Sequence, residues 1–220
     1  DQEYVALQFE KYDFAVIPVV DAEDRLVGIV TFDDAMDVIR REDTEDIEKM
    51  NAITPSGESY FNISPVRHAK NRILWLLFLM LSATFTGMLI THYEEAFAAV
   101  PLLVSFIPML MDTGGNCGAQ SSTLVIRGLA LDEIRFSDFF RLWGSEMIVA
   151  LICGAVLAAV NFVRVLIMYG DAKIGLVTGA TLIGVAMTAK TLGCVMPMLA
   201  KKLKLDPALM ASPIITTITD

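Results

Sequence analysis

Long apolar runs fill the last two thirds of the chain, and short apolar stretches broken by charge fill the first third. The long runs read as helices from Ile73 to Ile90, Phe97 to Ala130, Trp143 to Met168 and Ile174 to Ala200. At about 1.5 Å per residue they match roughly 30 Å of hydrocarbon. Asp206-Pro207 marks a fifth start, an N-cap residue followed by proline at the first helical position. About fourteen residues follow it, too few for a crossing. The first third reads as a helix to Tyr12, a strand from Phe14 to Val20, a polar turn over Asp21 to Arg25, a strand from Leu26 to Thr31 and a helix from Asp33 to Arg41. The first helix has no earlier strand for the sheet to pair with, so both ends read as cuts and the chain as an internal piece of a longer protein. The expected fold is mainly α, a polytopic membrane domain at 71–220 with its fifth span truncated. A partial α/β module at 1–43 and an acidic linker region at 44–70 precede it.

The second run is interrupted by Asp112-Thr-Gly114-Gly115-Asn116-Cys-Gly118-Ala-Gln120-Ser121-Ser122. Hydrocarbon supplies no water, so such residues at membrane depth must face protein or a water-filled path. Asn116 and Gln120, four apart, share one helix face and are candidate pore-lining residues. The glycines suit either close helix packing or the same lining, and Gly-Gly-Asn is read as a break in the span. The bland alternative is a polar loop between two buried helices of a soluble protein. Asp220, about 20 Å along the fifth helix, is a candidate pore ligand for a cation, and Pro213 would free a carbonyl beside it. Asp112 could face the pore mouth or cap backbone. Lys190 pairs with Glu146 or snorkels, and Arg164 and Asn161 are placed near the outer interface.

Composition supports the membrane reading: hydrophobic residues make up 55% of the chain and mean hydropathy is +0.56. The net charge of −9 lies wholly in the first 70 residues, which hold seven Lys/Arg against sixteen Asp/Glu. That excludes nucleic acid as a partner and suits a cation. Lys and Arg gather before the first span, between the second and third, and between the fourth and fifth, which puts the N-terminal part in the cytoplasm. Cys117, Cys153 and Cys194 lie in apolar runs without zinc spacing and read as small core residues. Gly114-Gly115-Asn116 lacks the lysine and spacing of a phosphate loop, so no enzyme is expected.

Asp33, Asp34, Asp37, Glu42, Asp43, Glu45, Asp46 and Glu48 form a dense acidic run. It is either a solvated face or a set of oxygen ligands whose repulsion a hard cation offsets. The stretch Pro18-Val-Val-Asp21 to Leu26-Val-Gly-Ile-Val-Thr31 with Asp34 resembles the second half of a CBS motif. In nucleotide-binding members Thr31 and Asp34 would contact a ribose, and ATP is the nucleotide expected at a complete CBS domain. The same pair also suits an ordinary helix cap. With the Gly-Gly-Asn segment running on to Gln120-Ser-Ser-Thr-Leu-Val-Ile-Arg-Gly-Leu-Ala-Leu131, and with Asp206-Pro-Ala-Leu-Met-Ala-Ser-Pro-Ile-Ile-Thr-Thr-Ile-Thr-Asp220, the chain resembles the MgtE family of magnesium channels.

That resemblance implies a homodimer in the cytoplasmic membrane, in contact with lipid. Spans two and five would line a pore for Mg2+ on the two-fold axis, and a cytoplasmic CBS region would bind Mg2+ and close it. It carries a cytoplasmic sensor role onto Asp34, Glu42, Glu45 and Asp46, and the pore role onto Asp220. The alternative is a CBS-regulated, proton-coupled carrier of divalent cations.

Overall fold

The computed structural model describes residues 2–210 and 212–219. Near the start, α1 (Gln2–Tyr12) buries Ala6 and Phe9 against Ala35 of α2 (Phe32–Met50), with Val5, Ile17, Val30 and Val38 closing a small core. Between the helices lies one antiparallel hairpin, β1 (Val16–Val20) with β2 (Leu26–Thr31), in which Val16 faces Thr31 and Val20 faces Leu26. Its turn is tied by Asp21, whose Oδ1 accepts from the backbone N–H groups of Glu23 and Arg25 at 3.0 and 2.9 Å. This is the half-module expected from the CBS-like stretch, and Val19, Val27 and Ile29 of its sheet are exposed.

The acidic run is helical, as expected, but α2 is a single helix through residues 43 and 44 and continues to Met50. The helical linker therefore continues the last helix of the module. Residues 51–64 follow without α-helix, and a 3₁₀ turn at Tyr60–Asn62 precedes α3 (Pro65–His92). Ser64 caps α3 and Pro65 opens it. No residue of α3 is buried.

The short α4 (Glu94–Ala99) and a 3₁₀ turn at Pro101–Phe106 lead into α5 (Ile107–Ala130). The irregularity expected at Gly-Gly-Asn is absent there: α5 is continuous through Gly114, Gly115 and Asn116. The chain bends instead at Val100 (φ −140°, ψ 76°), ahead of Pro101, where a residue before proline disfavours helix. α6 (Phe139–Tyr169) and α7 (Ala172–Lys202) follow as a tight antiparallel pair. Gly170 (φ +67°) turns the chain out of α6, and Asp171 caps α7 by accepting from Lys173 and Ile174. α7 is central, packing on α5 along one side and α6 along the other. The fifth span begins as a 3₁₀ turn at Pro207–Met210 before α8 (Ser212–Thr219), so Pro213 sits in the first turn of α8, not within a longer helix. At that position its missing N–H leaves no gap in the ladder, and its own carbonyl accepts from the Thr216 hydroxyl at 3.0 Å.

Among the described residues three helices, α3, α6 with its preceding turn, and α7, are long and apolar enough to cross a membrane. α5, at 24 residues, is shorter than these and carries a polar stripe.

Candidate functional site

Two faces of α5 have opposite characters. Gly114, Gly115, Cys117, Gly118, Ser121 and Ser122 are buried, whereas Asp112, Asn116 and Gln120 are exposed. Recurrence every four residues puts the exposed three in one line, with Thr123 and Arg127 continuing it. The structure thus joins Asp112 to the expected pair Asn116 and Gln120. The glycines resolve toward packing: a Cβ at Gly115 would stand 2.7 Å from Thr216 Cγ2, and one at Gly114 would stand 2.8 Å from Val185 Cγ1. Gly118 is similarly pressed by Ile215, and Cys117 packs with Ala186 and Ala189 as a small core residue. α8 is thereby held flat against α5 at the level of Asn116. Asp220 lies outside the described residues; Thr219, its neighbour in sequence, donates to the carbonyl of Ile215 at 2.9 Å.

Behind the stripe, α5, α6 and α7 share one polar knot. Lys190 Nζ donates to Ser121 Oγ at 2.9 Å and to Glu146 Oε2 at 3.1 Å, and Ser121 donates to Glu146 at 2.5 Å. Lys190 is 4% exposed, so it pairs and does not snorkel. Ser121 was not singled out by sequence; only its place in the small-residue face of α5 pointed to it. Asn161 is also buried, donating to Thr178 at 2.8 Å while accepting from Arg164. Arg164 in turn lies over the Phe106 ring at 5.5 Å, so both residues make contacts beyond their own turn of α6.

At the other end of the membrane helices, α2 meets the start of the fifth span. Lys49 Nζ lies 2.6 Å from Glu45 Oε1 and 2.6 Å from Asp206 Oδ2. Burial alone would lower the Lys49 pKa, but the hydrogen bonds it donates to Asp206 and Glu45 outweigh this and raise it. Glu42 and Asp46 face the adjoining cavity of about 650 Å³, which Glu3, Lys201 and Asp206 also line. Burial, with Asp206 nearby, pushes the Asp46 carboxyl up to about 6. Burial followed by the Glu3 and Glu45 carboxylates raises Glu42. Asp206 was read from sequence only as a helix cap. It does cap, accepting from Ala208 at 2.9 Å, and its other oxygen makes the long-range contact that sequence could not reveal.

Asp34 stands apart from Glu42, Glu45 and Asp46, at the opposite end of α2. The Thr31 hydroxyl donates to Asp34 Oδ2 at 2.6 Å and the Thr31 N–H at 3.2 Å, which holds the Asp34 carboxyl below its usual value. The pair forms the N-terminal cap of α2, and Asp34 borders a separate cavity of about 540 Å³. Among the described residues no three His, Cys, Asp or Glu side chains converge closely enough to hold a metal ion. Glu42 and Asp46 have the right chemistry, half-buried oxygens whose charges repel, but supply an incomplete set.

A polar stripe on a helix packed among apolar membrane helices, with a CBS-like half-module docked at one end, defines a multi-pass membrane protein of the transporter class. The family model described as a divalent cation transporter, MgtE, matches residues 107–220, and a CBS domain model matches residues 3–41. The magnesium transporter MgtE of Thermus thermophilus is 40% identical over 222 aligned residues, covering all of this chain and 49% of its own length. Those of Bacillus subtilis and Enterococcus faecalis are 38% and 35% identical, again over the whole chain and 48% of their own lengths. The chain belongs to the MgtE family of divalent cation transporters. It spans about half the length of the curated relatives it matches.

Proposed function

We propose that this chain carries the pore and part of the gate of a Mg2+-selective channel, acting as a homodimer in the cytoplasmic membrane with its N-terminal part in the cytoplasm. The observation that carries the reading is the exposed line Asp112, Asn116 and Gln120 on α5. A second copy across a two-fold axis would cover it and complete a polar path. Mg2+ is small and sheds water reluctantly, so amide groups that hydrogen-bond its hydration shell suit it better than a tight ligand cage. Asp220 and its two-fold mate supply charge for a dication that one carboxylate cannot match. Glu42, Glu45 and Asp46 act with Asp206 as the cytoplasmic sensor. Bound Mg2+ removes their repulsion and holds α2 against the pore, while Asp34 contributes with the neighbouring domain of the whole protein. Thr31 and Asp34 contact the ribose of ATP if the complete CBS pair binds nucleotide. No enzymatic step is assigned.

The test is Mg2+ influx into liposomes holding the full-length parent protein, with and without a pH gradient. Influx driven by the Mg2+ gradient alone, and lost in Asn116→Leu/Gln120→Leu, supports the channel. Influx that follows the proton gradient supports the proton-coupled carrier instead.

A further inference from the structure

A further cavity, about 360 Å³, opens where the α5–α6 connection meets the end of α7. Its floor is apolar: Leu129 and Met198 are buried members of one core cluster, and Ile134 packs on them. Its rim carries three basic side chains, Arg135, Lys201 and Lys202, against one acidic one, Asp132. Lys201 is engaged, donating to the Leu129 carbonyl at 2.7 Å with Asp132 at 3.7 Å. Arg135 and Lys202 differ, because among the described residues neither has a carboxylate within ion-pair distance. Lys202 lies 4.7 Å over the face of Phe136, which orients the ammonium without neutralising it. Exposed aromatic rings at Phe136, Phe140 and Trp143 surround the same end of the bundle, the signature of the headgroup level of a bilayer.

We propose that this cavity binds an anionic glycerophospholipid, its phosphodiester between Arg135 and Lys202 and the start of one acyl chain over Leu129, Ile134 and Met198. Basic pockets between membrane helices at the interface have the charge and depth for such headgroups. The apolar floor distinguishes a lipid from a free phosphate, because a small soluble anion gains nothing from it. A zwitterionic lipid brings its own cation, which the two uncompensated basic groups repel.

The experiment is native mass spectrometry of the full-length parent protein titrated with phosphatidylglycerol, phosphatidylcholine or glycerol 3-phosphate. Phosphatidylglycerol is expected to remain bound and the other two to be lost. Arg135→Gln/Lys202→Gln should weaken its retention roughly thirtyfold, from the attraction of two basic residues, while Arg135→Lys/Lys202→Arg should keep it. Equal retention of phosphatidylcholine by the wild type, displacement by millimolar glycerol 3-phosphate, or undiminished binding in the glutamine variant would overturn the proposal.

Discussion

Lys49 Nζ and Asp206 Oδ2 stand 2.6 Å apart although 157 positions separate them in sequence. They join the acidic helix to the residue that opens the fifth span. The side chains are 20% and 32% exposed, so part of the attraction is screened and the pair is expected to contribute about 1 kcal/mol to docking. A double-mutant cycle with Lys49→Met and Asp206→Asn, read by hydrogen exchange of α2 in the full-length protein, measures it. Additive single effects would mean that the contact does not hold α2 in place.

Asp46 provides a pH signature. A carboxyl whose folded pKa is raised from 3.8 to about 6 favours the fold in its protonated form. Its stabilising contribution is full below pH 3.8 and is lost as pH rises through about 6. Without Mg2+, α2 is therefore expected to be better protected at pH 5 than at pH 7, and Asp46→Asn should remove most of that difference. Carbon-detected NMR of the Asp46 carboxyl provides the direct check; a midpoint below 4.5 contradicts it.

The crowded glycine Gly118 of α5 should divide sharply from the open ones Gly144 of α6 and Gly184 of α7. A Cβ at Gly118 would collide with Ile215 and come within 3.2 Å of the Ala189 carbonyl, so Gly118→Ala is expected to cost about 1–3 kcal/mol. Gly144 and Gly184 have nothing within 4 Å of the same atom. Alanine there should be neutral or stabilise by up to about 1 kcal/mol through helix propensity. Thermal unfolding of the three variants in one detergent tests the order.

Lys190→Met leaves Glu146 without its cation in a buried site, at an expected cost of about 3–5 kcal/mol. Lys190→Met/Glu146→Leu removes both charges and should recover most of the lost folded yield. Recovery in the double variant, measured by size-exclusion chromatography, separates a charge penalty from simple loss of packing. A double variant as poor as the single one would refute the pairing argument.

Periodicity made the α5 stripe and the helical acidic run legible, because both depend on local spacing of side chains. The same argument misjudged Gly114-Gly115. Polar residues interrupting an apolar run suggested a break, but Gly114 and Gly115 lie within continuous helix, pressed against Val185 and Thr216. Long-range partnership was not legible: nothing near Asp206 in sequence points to Lys49. The partners of Arg164 and Asn161 were not legible either, since hydropathy gives depth along a helix but not the residue across from it. Asp220 remains a reading from sequence and family.

The tight joint at Gly170 and Asp171 has a consequence for how the protein enters the bilayer. Glu146 bonds Lys190, Trp143 bonds Thr191 and Asn161 bonds Thr178, and every one of these pairs links α6 to α7. The ribosome releases α6 first, so Glu146 and Asn161 reach the translocon before Lys190 and Thr178, their partners on α7, exist. Their insertion cost falls further when the hairpin closes. α6 and α7 are thus expected to leave the translocon as one paired hairpin, and shortening α7 before Lys190 is expected to stall insertion at α6.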